Sequence, residues 1–179
     1  MTEEKKEQLK LDLGCGANKR AGFVGVDKYQ TPCVDILHDL LVYPWPFEDG
    51  SVGEVYCSHF FEHIPGLDRP RWMEELYRVL VPGAKATVIT PYYKSPRATQ
   101  DFTHQWPPVS EESYLYFNKA WRERNGLTHG LYDVKADFDY TYGYALDTAW
   151  ATRDEEARNF AIRYYWCTIA DLHVALIKR

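Results

Sequence analysis

A short apolar run ends in an acid and two spaced glycines, Leu11-Asp12-Leu13-Gly14-Cys15-Gly16, and a second apolar run, Phe23-Val24-Gly25-Val26-Asp27, ends in another acid. Two strands separated by a glycine turn in this way are how an α/β fold builds a nucleoside cradle. The glycines let the backbone come close to a ligand, because no Cβ stands in the way. The second acid can accept hydrogen bonds from a ribose diol. The run predicts a nucleoside-like ligand.

At 179 residues the chain suits one domain, which buries roughly 70% of its unfolded surface. Residues 1–8 read as a polar tail and 9–179 as that single domain. With a net charge of −5 and no basic face, the chain lacks the electrostatic footprint of a duplex binder, which disfavours nucleic acid as a partner. Cys15, Cys33, Cys57 and Cys167 show no paired spacing, and the charged start of the chain has no apolar signal core. Both point to a reduced, cytoplasmic setting. No apolar run approaches the roughly 18 residues that a membrane helix needs.

The pattern along the chain predicts strands at 9–13, 23–27, about 34–37, 54–58 and 85–90. Asp68-Arg69-Pro70 reads as the start of a helix, with Asp68 as its cap, and Trp72, Met73, Leu76, Val79 and Leu80 form its apolar face. Pro82-Gly83 is expected to stop that helix. Residues 91–109 are rich in proline and read as a loop. Ser110-Glu111-Glu112 opens a helix running to about Arg124, with acids in the first turn where the dipole favours them. Between Val134 and Tyr144 apolar and polar residues alternate strictly, which means a strand with one wet face. Thr152-Arg153-Asp154-Glu155 reads as a capping box for a helix with Ala157, Phe160, Ala161 and Tyr164 on one face. Asp171–Ile177 is the last strand. The connections after the first two strands are shorter than the dozen or more residues of a helical crossover, so they read as loops or short turns.

In this order and spacing the motifs resemble the class I S-adenosylmethionine-dependent methyltransferases, in particular the compact methyltransferase-domain group with LGCG in the first loop. The resemblance rests on Leu11 to Gly16, Val26-Asp27, His38-Asp39-Leu40, Pro46-Phe47 with Asp49, His59 to His63, and Glu75 to Gly83. It implies a Rossmann-like, mostly parallel sheet of seven strands in the order 3-2-1-4-5-7-6, with strand seven antiparallel and with reduced helices after strands one and two. It also implies S-adenosylmethionine as cofactor and methyl transfer to an O or N nucleophile of a small-molecule acceptor. Gly14, Cys15 and Gly16 would pass around the methionine end, with Asp12 beneath them. Asp27 would hold the ribose, Asp39 and Leu40 the adenine edge, and Ser58 with His59 the methionine side. Two positions depart from the family pattern: Ala17 or Asn18 replaces the third glycine, and Gly53, read as part of a surface turn, replaces an acid.

Bland readings stand beside these. Asp12 and Asp39 could cap turns, Cys15 could be a small packed residue, and His38 a neighbour of Asp39. His59-Phe60-Phe61-Glu62-His63 is a literal H-x-x-E-H, which raises a zinc hydrolase as an alternative. Pro65-Gly66 ends any helix within a turn and no third ligand stands out, so the sequence predicts no metal site. A nicotinamide dehydrogenase would need glycine where Lys19 stands. A non-catalytic nucleoside-binding module is the other alternative. No (D/N/S)PPY-like segment follows strand four, as nucleobase amino-methylation would want.

Methyl transfer from a sulfonium needs alignment of the nucleophile and, for some acceptors, removal of a proton. The candidates are His104 as base, His59 and Tyr92, with His63 and Tyr93 as neighbours. Asp101 pairing with His104 to close its own loop is the rival role for His104. The short early connections leave little to cover one face of a parallel sheet, which predicts thickened loops or a homodimer docking there.

Overall fold

The computed structural model describes residues 8–179; apart from Gln8, the polar tail expected at the start lies outside the described residues. One sheet holds β1 (Leu9–Leu13), β2 (Val24–Asp27), β3 (Ile36–Leu37), β4 (Val52–Ser58), β5 (Leu80–Pro91), β6 (Phe138–Leu146) and β7 (Ile169–Lys178). Their spatial order is β3-β2-β1-β4-β5-β7-β6. Neighbours from β3 through β5 pair in parallel, and β7 runs antiparallel to both β5 and β6. This is the expected seven-stranded architecture. The strand order reverses between β1 and β4, the point at which open α/β sheets leave a crevice at their carboxyl ends.

Register sorts the side chains into two faces. Leu11, Leu13, Val55, Cys57, Ala86, Val88, Val174 and Leu176 share one face and are fully buried or nearly so. They form one core with Trp72, Met73, Leu76 and Val79 of α1 (Arg69–Val79). Each of those four helix side chains contributes about 1.5 to 3 kcal/mol by leaving water. The apolar face read from the sequence is therefore the face that docks.

The opposite face is largely polar. Lys10, Glu54, Tyr56, Lys85, Thr87 and His173 alternate with the core residues along their strands. Lys10 Nζ lies 3.0 Å from Glu54 Oε2, and the Arg20 guanidinium covers Tyr56 at 4.6 Å and Phe23 at 5.4 Å from their ring centres. A loop, ion pairs and polar side chains thus line the surface for which the sequence predicted loops or a second copy.

Several local expectations shift. Asp68 makes no side-chain bond to α1, and the chain passes from Val79 straight into β5, so Pro82-Gly83 lies within that strand as an irregularity rather than ending the helix. Gly83 supplies the left-handed conformation there, with φ +79°. Gly53 lies in β4 rather than in a surface turn, and a Cβ there would come within 2.6 Å of Gln8 Oε1. The segment 91–109 contains a short helix, α2 (Arg97–Gln100). The helix expected from Ser110 is a 3-10 segment (Glu111–Phe117) and then α3 (Lys119–Arg124). They are separated at Asn118, whose side chain accepts the Trp121 amide at 2.9 Å.

The alternating segment becomes strand only from Phe138. Ahead of it, the backbone carbonyls of Val134 and Ala136 are taken by the buried Arg122 guanidinium. A short helix, α4 (Thr148–Ala151), precedes α5 (Glu155–Tyr164), which is capped by Asp154 accepting the Ala157 amide at 2.8 Å, not by Thr152. Of its expected apolar face only Ala161 is buried, while Phe160 and Tyr164 are exposed. Among the described residues, no helix is long and apolar enough to cross a membrane.

Candidate functional site

The turn after β1 is held by backbone and by Asp27. Gly14 and Cys15 donate to the Val26 carbonyl at 2.9 and 3.3 Å, and the Gly16 amide donates to Asp27 Oδ2 at 2.9 Å. Asp27 Oδ1 takes the Tyr29 amide at 2.9 Å. Each carboxylate oxygen has one amide donor and keeps a lone pair for a further one. Thr31, which the sequence reading missed, fastens the far side of the turn by donating to the Gly16 carbonyl at 2.7 Å.

The two glycines do different things. Gly14 has φ +71°, and a Cβ there would come within 2.5 to 2.7 Å of the Phe60 side chain, so its bareness admits Phe60. Gly16 has φ +51°, and a Cβ there would meet nothing within 4 Å. Beside Gly16 the backbone faces open space.

Asp12 is buried beneath the turn and accepts the Arg20 amide at 2.6 Å. Burial raises its pKa, with the Arg20 amide and the charges of Arg20 and Lys19 opposing. Cys15 is buried, and its thiol is pushed up to about 11, chiefly by burial, which fits a packed residue. Lys19, where a dinucleotide fold wants glycine, pairs with Asp35 at 2.7 Å. Asp39 Oδ1 takes the Leu41 amide at 3.0 Å, the local turn foreseen as its bland role. The Leu40 side chain is in the core, and its amide meets no acceptor among the described residues. His38 bonds through Nε2 to the Val42 carbonyl at 3.0 Å.

At the carboxyl end of β4, Ser58 is followed by His59 in a left-handed conformation, φ +53°, uncommon for a residue with a Cβ. His59 Nδ1 lies 3.3 Å from Glu62 Oε1, and that carboxylate raises the imidazole pKa against the opposing effect of burial. Only a 3-10 turn, Phe61–His63, follows, so His59 and His63 do not stand one above the other on an α-helix as the zinc-hydrolase alternative requires.

His104 is turned into its own loop. Its side chain is 10% exposed, Nε2 lies 3.8 Å from Asp101 Oδ2, and its ring centre is 4.8 Å from that of His63. Tyr92 is buried with its hydroxyl 3.4 Å from Glu111 Oε1, an oxygen also bonded by Tyr144 at 2.9 Å. Burial drives the Tyr92 pKa up, the wrong direction for a base at neutral pH. Tyr93 packs edge-on to Trp166, at 6.4 Å between ring centres.

Comparison with known proteins gives the same frame. Residues 26–88 match the methyltransferase-domain family. A chloroplastic tocopherol O-methyltransferase of Arabidopsis thaliana is 23% identical, with 74% of this chain and 46% of that protein aligned. The chain thus spans about half the length of that curated relative. A solved S-adenosylmethionine-dependent methyltransferase of Archaeoglobus fulgidus superposes with a TM-score of 0.67 at 19% identity, covering 97% of this chain and 87% of that one. A geranyl diphosphate C-methyltransferase of Streptomyces coelicolor gives a TM-score of 0.57 at 16% identity, covering 97% and 70%. The chain thus has the fold of these solved methyltransferases, and its residues 26–88 match the methyltransferase-domain family.

Proposed function

We propose that this chain binds S-adenosylmethionine at the turn after β1 and transfers its methyl group to an O or N nucleophile of a small-molecule acceptor. The observation that carries this reading is the Asp27 carboxylate, which ties Gly16 to β2 and keeps a lone pair on each oxygen for a ribose diol. The open space beside Gly16 fits the close passage of a ligand, and the unclaimed Leu40 amide fits an adenine edge. Asp39, Ser58 and His59 complete the set of cofactor residues, with Gly14, Cys15 and Asp12 supporting the turn. The sulfonium of S-adenosylmethionine supplies an already activated methyl, so the protein's work is alignment and, for a protonated nucleophile, removal of a proton.

His59 is the better-placed base: its side chain is 39% exposed and Glu62 stands behind it, whereas His104 is largely enclosed by its loop. Tyr92 is then a pocket wall. The chain between β6 and β7 rises from the edge where Pro91 pairs with Asp171, and it exposes Phe160, Tyr164, Tyr165 and Trp166 beside the end of β5. That aromatic surface suits an apolar or aromatic acceptor. Tocopherol and geranyl diphosphate, named for two similar proteins, are small molecules of partly apolar character and support the same class.

Calorimetry with S-adenosylmethionine and its demethylated product tests the reading. Binding to the native chain and a loss of at least tenfold in Asp27→Ala are expected. Absence of binding by a folded native chain, or an unchanged affinity in the variant, overturns it.

A further inference from the structure

Apart from the nucleoside cradle, Glu62, His63 and His104 bring one ligand atom each to within 4.8 Å of one another. Two observations make this more than proximity. The Glu62 side chain is 6% exposed, and among the described residues its Oε2 has no hydrogen-bond partner. A buried carboxylate oxygen without a donor is an expensive arrangement that an ion resolves. His59 Nδ1 approaches Oε1, at 3.3 Å, and leaves Oε2 with nothing.

The second observation is how the imidazoles are held. Thr103 Oγ1 lies 2.6 Å from Asp101 Oδ1, to which it donates, and 3.0 Å from His63 Nδ1. With its proton committed to Asp101, Thr103 accepts from His63, so Nδ1 carries the hydrogen and Nε2 the lone pair. His104 Nδ1 faces the Ala98 carbonyl at 3.4 Å, which can only accept, and this again leaves the lone pair on Nε2, which lies 3.8 Å from Asp101 Oδ2, beyond hydrogen-bond reach. Oriented neutral imidazoles with Nδ1 bound to an oxygen are the form in which histidine ligates metals. The Gln105 amide donates to the Glu62 carbonyl at 2.9 Å and so locks the His104 loop against the Glu62 turn.

We propose that Glu62, His63 and His104 form a binding site for one divalent first-row transition cation of the zinc class. Two imidazoles and a carboxylate suit such an ion and leave a coordination position for water or another ligand. Ligands of one tetrahedral ion stand about 3.3 Å apart, given metal-ligand distances near 2.0 to 2.2 Å. Binding therefore requires the donors to close by up to about 1.5 Å. The site differs from the H-x-x-E-H reading in its ligands: His104 replaces His59, and Glu62 ligates the ion instead of polarising a water.

Titration of the purified chain with Co(II), followed by displacement with Zn(II), tests the proposal without reference to methyl transfer. One equivalent of Co(II) should give a visible absorption band of low-symmetry coordination that Zn(II) abolishes. Glu62→Gln and His104→Ala should each weaken binding by more than 100-fold, and His173→Ala, exposed on the polar sheet face, should leave it unchanged. Thr103→Val, at an exposed position that a folded protein tolerates, should weaken it about tenfold by freeing the His63 tautomer. Absence of stoichiometric binding at micromolar metal overturns the proposal. So does binding that survives both Thr103→Val and His104→Ala.

Discussion

Gly14→Ala and Gly16→Ala separate the two reasons for glycine in the first turn. Both positions have positive φ, +71° and +51°, and a left-handed alanine costs about 1 to 2 kcal/mol at each. At Gly14 the new methyl would also lie 2.5 to 2.7 Å from three atoms of Phe60, one of them its Cβ, which no rotamer change can move. Backbone must shift, and forced insertion of a methyl into packed surroundings adds about 1 to 3 kcal/mol. Gly14→Ala should therefore lose about 2 to 5 kcal/mol and Gly16→Ala about 1 to 2. With a urea slope near 2 kcal/mol/M, the midpoint falls by about 1 to 2.5 M in the first variant and by less than about 1 M in the second. Circular dichroism in urea measures both. Calorimetry should show the converse order for the ligand, with Gly16→Ala losing affinity while the chain stays folded, because its methyl fills the open space. Equal midpoints, or a more stable Gly14→Ala, refute the assignment of Phe60 as the partner of Gly14.

The pH dependence of stability tests Asp12. Its folded pKa is raised, chiefly by burial, so the native chain loses stability as pH climbs from the ordinary carboxylate range through the raised value. Asp12→Asn escapes that loss, and the gap in urea midpoint between the two proteins should widen over the same window; parallel curves argue against a buried charge. Once an acceptor is in hand, His59→Ala should lose far more turnover than cofactor affinity, because His59 lies 39% exposed at the end of β4 with Glu62 behind it. An unchanged rate in that variant removes His59 as the base. Arg69→Met strips donors from the Ile64, Gln105 and Pro107 carbonyls, bonded at 3.1, 3.1 and 2.6 Å, and should destabilise the fold by about 2 to 4 kcal/mol in thermal or urea melts. A loss of less than about 0.5 kcal/mol shows that water satisfies those carbonyls.

Features that depend on near neighbours in the chain were legible before any coordinates. The turn from Leu11 to Gly16 and the acid Asp27 act over a dozen residues, and β1 and β2 pair as the pattern requires. The apolar face of α1 follows helical period and docks as read. Boundaries were harder where two local rules competed. Thr152 and Asp154 both suit a cap, and only the bond from Ala157 selects Asp154. The strict alternation from Val134 begins before the strand does, because the carbonyls of Val134 and Ala136 are occupied by Arg122 rather than by a neighbouring strand.

The sequence by itself determined the kind of fold and the turn after the first strand, since glycine turns, strand alternation and helix period are backbone preferences expressed over short stretches. Tertiary structure alone decided what lies across those elements. Phe60 seals Gly14 because β1 and β4 are adjacent in the sheet. The polar face of the sheet meets water because register gathers Lys10, Glu54 and Lys85 onto one side. The meeting of Glu62 and His63 with His104, some forty residues away in the chain, depends on one backbone bond between loops and on a threonine that orients an imidazole. No local propensity encodes that contact, because it exists only once the sheet has placed both loops at the same edge.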